Sequence, residues 1–465
     1  MILIKALSFI LLFPSFFVVK KVIRKEDLNF FDLLVLFSTL FFVVIPLKSD
    51  EKVFNAIGIL TTETSIYVFF YLLFFLIGSL IASSLIVPDN NSPINITYFI
   101  KKYPKIKISV FFKVLLILLP VVSLVYYIPQ TSFITAFDTI QNESSKATYE
   151  QSSLIKFFST IFRFGVIIPI LLLCQNLKNK KIDILLLISL SLFLINFLML
   201  SRRDLLEFFL FGFVVFYSIN RQVINRKFIS YSLIFGALIY FIYFPFYNVI
   251  RTTSVEFKIE EPFTSVQKIY EYGIDNYSKT SNSASDLTDT RAINLYRAIY
   301  WIARNDSDRD ITWGGITLSA IDHAIPKFIN PGKGLGSEIV LQDRQHISYD
   351  SADSFLLLAL ADYSTLGALI TIFFYLFIYK LWKFITAVNK FIFGNSIVAL
   401  YVVYSLFSLS FSIETKLDAI LADTVAFLIM VVIIDVIHST NFITIKSNKV
   451  TNREYFKSSE LQGVE

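Results

Sequence analysis

Apolar runs of about twenty residues alternate along this chain with short polar connections, and that length as a helix crosses roughly 30 Å of hydrocarbon. The runs cover approximately 2–19, 30–47, 66–87, 108–128, 157–174, 184–200, 205–219, 228–247, 354–379, 397–413 and 419–437. Strands of a transmembrane barrel would be shorter and would alternate apolar with polar positions. The pattern therefore predicts an all-α polytopic membrane protein with about eleven transmembrane helices. One connection breaks the rhythm: from Asn248 to about Ser351 the chain is polar. The implied organisation is a membrane domain over 1–247, a large loop over 248–353 with short amphipathic helices, a second membrane domain over 354–437 and a polar tail over 438–465.

Composition strengthens the membrane reading. Hydrophobic residues make up 55% of the chain and 50 residues are Phe, beyond the usage of soluble domains. The first run lacks a positive leading region and a small-residue cleavage site, and Lys20, Lys21, Arg24 and Lys25 follow it. It reads as a retained first span rather than a cleaved signal. A single cysteine, Cys174, excludes a disulfide framework or a cysteine zinc site within one chain. The net charge of +6 gathers in clusters beside the spans, which fits membrane orientation rather than nucleic-acid binding.

Those clusters also orient the chain. One alternate set of connections, with the tail, carries 21 Lys and Arg. The opposite set holds far fewer, Lys48, Lys52, Lys146, Arg202, Arg203 and Lys416 among them. Since the richer side is cytoplasmic, the large loop faces outward, which in a bacterial inner membrane is the periplasm. The tail faces inward.

Candidate chemistry collects in and beside that loop. Residues 289–304 read as an amphipathic helix capped by Asp289 or Thr290, with Arg291, Arg297 and Arg304 beside Tyr300 and Trp301. Two readings fit. The helix presents guanidinium forks and aromatic rings to an anionic, sugar-bearing substrate, or it lies on the membrane and snorkels its Arg to headgroups. Ser201-Arg202-Arg203-Asp204 places a second pair of Arg at the outer mouth of two spans, where a tight hairpin needs none. A lipid-linked diphosphate is a natural partner for them, and self-neutralisation by Asp204 is the alternative. Arg163, inside the fifth span, belongs to the same hypothesis. His323, His346, Asp350 and Asp353 supply candidate proton acceptors, although loop His and Asp residues are more often simply solvated. Their spacing does not resemble a metal-ligand set. Gly314-Gly315 and the glycines after Pro331 read as turns.

The layout resembles the bacterial O-antigen polymerase (Wzy-type) and O-antigen ligase group of membrane glycosyltransferases. Leu198-Met199-Leu200-Ser201-Arg202 is similar to the Ser-Arg that opens a span in that group. The stretch from Arg297 to Trp301, with Gly314-Gly315 downstream, resembles its Arg-to-Trp helix and later glycines. In the run 353–367, Asp353-Ser354 stands where many members carry a His-Asn pair, Leu357 at their Leu, Asp362 at their acidic residue and Ser364 at their first Gly. The missing His, which is most associated with the ligases, leans the resemblance towards a polymerase. It implies transfer of a growing glycan from an undecaprenyl diphosphate carrier onto another carrier-linked repeat unit. No metal, cofactor or nucleotide sugar is implied, and a chain-length regulator protein and membrane lipid are the expected partners.

Physical chemistry is compatible with that implication. An outward site has no cytoplasmic nucleotide donor, so the energy must arrive with the substrate, and a lipid diphosphate leaving group carries it. Arg202, Arg203, Arg291 and Arg297 are the expected cations for the departing charge. Asp353 is the expected proton acceptor, with His346 next. Arg163, Tyr300, Trp301, Trp313 and His323 are the expected substrate contacts, the aromatics stacking on sugar faces. Ligation to a lipid core and flipping of the same lipid-linked units are the rival activities.

Overall fold

The structure, a computed structural model, describes residues 2–24, 26–44, 62–86, 106–108, 110–127, 166–174, 183–200, 202–219, 299–303, 311–325, 330–332, 334–345, 354–393, 398–411, 416–422 and 443–445, with a few isolated positions. Helices dominate them. In chain order these are α1 (Ile2–Ile10), α2 (Phe13–Ile23), α3 (Phe30–Thr39), α4 (Thr62–Leu85), α5 (Val110–Tyr127), α6 (Ile184–Leu200), α7 (Arg202–Ile219), α8 (Gly315–Ala324), α9 (Ser337–Gln345), α10 (Phe355–Tyr363), α11 (Gly367–Phe393) and α12 (Val398–Phe411). Three helical stretches, Leu3–Ile23, Thr62–Leu85 and Phe355–Val388, are long and apolar enough to cross a membrane. Phe30–Val44, Ile184–Phe193, Glu207–Ile219 and Tyr401–Phe411 are shorter apolar helices within other expected spans. The expected span 228–247 lies outside the described residues, as do parts of others.

The all-α expectation needs one amendment. Two short strands, β1 (Ile106–Ile108) and β2 (Ile443–Ile445), pair antiparallel with Ile106 opposite Ile445. They read Ile-Lys-Ile and Ile-Thr-Ile, one in a connection and one in the tail, and they bond to each other's backbone.

The core forms where α4 meets α3 and α11, with α10 packed on α11 and α12 on α3. Gly78 allows α4 and α11 to approach closely, since a Cβ there would lie 2.4 Å from Ile372 Cδ1. Small residues at helix crossings serve this purpose in membranes, where packing rather than water exclusion drives association. Aromatic edges extend the core: Phe37 of α3 meets Phe407 and Phe411 of α12 at 5.9 and 5.2 Å between ring centroids. Phe208 and Phe211 of α7 reach Tyr404 of α12 at 5.7 and 5.1 Å.

Polar contacts between distant segments gather in two layers. On the lysine-rich side, Lys21 Nζ donates to Asp32 Oδ1 at 2.8 Å and to Ser83 Oγ at 3.2 Å. Asn29 caps α3 through Asp32 N, and Asp32 returns a bond to Asn29 N, a capping box. Asn29 Nδ2 also donates to the Ser83 carbonyl at 3.1 Å. Lys113 pairs with Asp183, and Tyr217 Oη donates to the Val22 carbonyl at 3.2 Å. On the other side, Tyr67 bonds Ser364, and the loop helices pack on α10. Tyr67 and Ser83 are sixteen residues apart on α4, which is roughly 24 Å of helix. The two polar layers are thus separated by most of a hydrocarbon thickness.

Candidate functional site at the broken helix

The expected ninth span is two helices lying side by side, since Phe355 of α10 meets Phe374 of α11 at 4.4 Å between ring centroids. α10 ends at Tyr363, residues Ser364–Leu366 form a turn of 3-10 helix in which the chain reverses, and α11 starts at Gly367. Sequence periodicity does not reveal this break, because both halves are uniformly apolar. Its local signal is Gly367, where a Cβ would lie 2.3 Å from the Ala359 carbonyl oxygen. Ser364 takes φ +54°, a strained conformation for a residue with a side chain. Its hydroxyl sits 3.2 Å from Tyr67 Oη. From Ser354 to Asp362, α10 and its cap are buried, and Tyr71 Oη supplements the helix by donating to the Leu356 carbonyl at 2.8 Å.

Asp362 organises the break. Its side chain is fully buried, yet it accepts four hydrogen bonds. Oδ1 takes the Thr312 hydroxyl and Ile316 N at 3.0 Å. Oδ2 takes Thr317 N at 2.8 Å and Thr317 Oγ1 at 2.6 Å. Ile316 and Thr317 are the second and third residues of α8, so a carboxylate on the membrane helix caps a helix of the large loop. The loop cannot cap itself, because its N-cap position is Gly314, without a side chain. A negative charge is also favoured at a helix N-terminus. The Asp362 carbonyl accepts Trp313 N at 3.1 Å, giving a fifth link.

This docking bends the loop sharply. Trp313 adopts φ +47° and Gly314 φ +95°. A Cβ on Gly314 would lie 2.6 Å from Tyr363 Oη, so glycine is required for both conformation and space. The Trp313 side chain is 73% exposed beside this strained turn.

A second cluster ties the rest of the loop to α8. Asp322 accepts Asn330 Nδ2 at 2.6 Å and Gly334 N at 2.8 Å, and Ser319 Oγ donates to the Leu335 carbonyl at 2.6 Å. His323, half-buried, places Nδ1 3.4 Å from the Gly334 carbonyl oxygen.

Of the residues expected from sequence, Trp313 and His323 lie on α8 or at its entrance. Tyr300 is fully buried in a helical segment at 299–303 and Trp301 is half-buried, so Tyr300 packs inward rather than lying open to a ligand. Arg202 and Arg203 open α7. Asp353, His346, Asp350, Arg291, Arg297 and Arg163 lie outside the described residues. Two residues were missed as site members. Asp362 entered only as the acidic position of the resemblance, and Glu207 not at all, although it is fully buried in α7, one turn after Arg203. Its signal was available: an ionisable residue inside an apolar run is a functional suspect. Among the described residues no group of three or more His, Cys, Asp or Glu could hold a metal ion.

The chain matches no family model, no curated protein and no solved structure.

Proposed function

We propose that this chain is a membrane glycosyltransferase of the O-antigen polymerase kind, joining undecaprenyl-diphosphate-linked oligosaccharide units at the periplasmic face of the bacterial inner membrane. The observation that carries the reading is the Asp362 dock. A large polar loop is held by five hydrogen bonds onto a buried helix that doubles back on its successor, and an exposed Trp313 stands at the junction. A loop that served only to connect two spans would need no such anchorage. A reaction between two lipid-linked substrates does need it, because the acceptor sugar and the diphosphate must be oriented against each other at the membrane surface.

In this reading Arg202 and Arg203, with Arg291 and Arg297 of the loop, bind the diphosphate and stabilise the charge that develops as it leaves. Trp313 stacks on the sugar. The reaction draws on the donor's own diphosphate bond, so no nucleotide or metal is invoked. Interaction with a chain-length regulator belongs to the same proposal.

The lipopolysaccharide ladder of a strain lacking the chain tests this. Loss of a polymerase leaves a core that carries one repeat unit. A bare core points instead to a ligase or a flippase, and an unchanged ladder removes the reading altogether.

A further inference from the structure

The loop brings His323 against an aspartate nearly a hundred residues away. Gly336 lies between them: the position that a Cβ would take is 3.7 Å from His323 Nε2 and 3.6 Å from Asp418 Oδ2. No described atom outside the glycine's own chain neighbours comes nearer to that point. Asp418 belongs to the helical segment 417–422 that follows α12, and its other oxygen accepts Ala419 N at 2.9 Å. Ser337, next to Gly336, is fully buried and its hydroxyl has no partner among the described residues.

The Gly334 carbonyl can only accept, so the 3.4 Å approach of His323 Nδ1 suits a neutral ring with its proton on Nδ1 and its lone pair on Nε2. Nε2 and an Asp418 carboxylate oxygen both lie within 4 Å of one point beside Gly336. Asp322, the adjacent acid, is already engaged by Asn330 and Gly334.

We infer that His323 and Asp418 form the acceptor-hydroxyl site of the transferase, with His323 Nε2 as the proton acceptor in place of Asp353. The inference rests on the glycosyltransferase reading above. The acceptor sugar's hydroxyl lies over Gly336 and gives its proton to Nε2. Its oxygen forms the new bond to the donor's anomeric carbon, while the bond from that carbon to the diphosphate breaks and its electron pair leaves with the diphosphate.

The test uses the full chain in lipid nanodiscs with undecaprenyl-diphosphate-linked repeat units, measuring elongation. His323→Ala is expected to lower kcat by about 100-fold or more, and added imidazole to restore it in proportion to its concentration, which a bracing role would not allow. Asp418→Asn is expected to lower kcat less. Gly336→Ala fits sterically but fills the gap, so it is expected to raise the acceptor KM severalfold with little change in kcat. If the wild type elongates while His323→Ala stays within twofold of it, or while its loss is insensitive to imidazole, the assignment is overturned and the glycosyltransferase reading stands. If the wild type does not elongate these units, both are overturned.

Discussion

Asp32 and Asp362 are both fully buried carboxylates beside α4, one near each of its ends, and they are satisfied in different ways. Asp32 has a cation: Lys21 at 2.8 Å, with Ser83 Oγ at 2.7 Å and Asn29 N at 3.0 Å completing the set. It staples α2, α3 and α4 to one another, all of them apolar helices. Asp362 has neutral donors only among the described residues, two backbone N–H groups at a helix N-terminus and two hydroxyls. It joins a membrane helix to a polar loop. A charge pair holds two side chains at a point but leaves the backbone free to turn. A carboxylate shared between successive amides of a helix sets where that helix starts and which way its axis points. The first device suits a scaffold and the second suits a site, where orientation matters as much as affinity.

The comparison supposes opposite sides of a membrane, and its sharpest test is all or none. A periplasm-active reporter inserted near Asn305 is expected to be active, whereas the same reporter fused after Asn441 is expected to be silent. Activity at Asn441 with silence at Asn305 would invert both the orientation and the proposed chemistry.

The next largest effect belongs to Asp362→Ala. It strands two amides and two hydroxyls in a buried place, an expected loss on the order of 3 kcal/mol in loop docking. Limited proteolysis of the nanodisc-embedded chain would show new cleavage between residues 304 and 354, and elongation would be lost. An undisturbed loop in this variant removes the dock from the account. Gly314→Ala, which meets Tyr363 Oη and a positive φ, should produce the same phenotype in milder form.

Smaller effects are expected at the staple. Lys21→Met leaves a buried carboxylate without its cation, and Asp32→Asn leaves Lys21 without its anion. Each is expected to lower the thermal inactivation temperature, and the double variant to recover much of the loss, because both charges are then gone. Elongation per folded molecule should stay near normal in all three, in contrast to Asp362→Ala. Equal loss of elongation at both carboxylates would erase the distinction between scaffold and site.

The smallest effect concerns Asp183 at the start of α6. Burial raises its pKa, but the hydrogen bond and charge of Lys113, with the amides of Leu186 and Leu185, outweigh that and hold the carboxyl below its ordinary value. A group whose folded pKa is depressed stabilises above its unfolded pKa and loses that contribution as pH falls through the folded one. The pair is partly solvated, so about 0.5–1 kcal/mol is at stake. Asp183→Asn is expected to flatten stability against pH below about 4, measured by inactivation temperature across pH 3 to 6.

Hydropathy and charge alternation were enough to place most helices. The reason is physical: a backbone in hydrocarbon must satisfy its own polar groups, so an apolar run of that length has little choice but to be a helix. Three of the expected runs contain helical stretches long and apolar enough to cross a membrane, and four more contain shorter apolar helices. Side assignment by lysine counting is likewise a local reading. Trp313 and His323 were legible as candidates because rare residue types in a polar loop stand out. What tertiary structure alone decided was which residues meet. The reversal at Ser364 depends on Gly367 resting against Ala359, and Asp362 becomes an anchor only because α8 starts beside it. His323 and Asp418 come to the same glycine, Gly336, across a separation that no periodicity encodes. Helices follow from neighbours in the chain, whereas docks and dyads follow from neighbours in space, and the contacts that close long loops are set by packing rather than by local pattern.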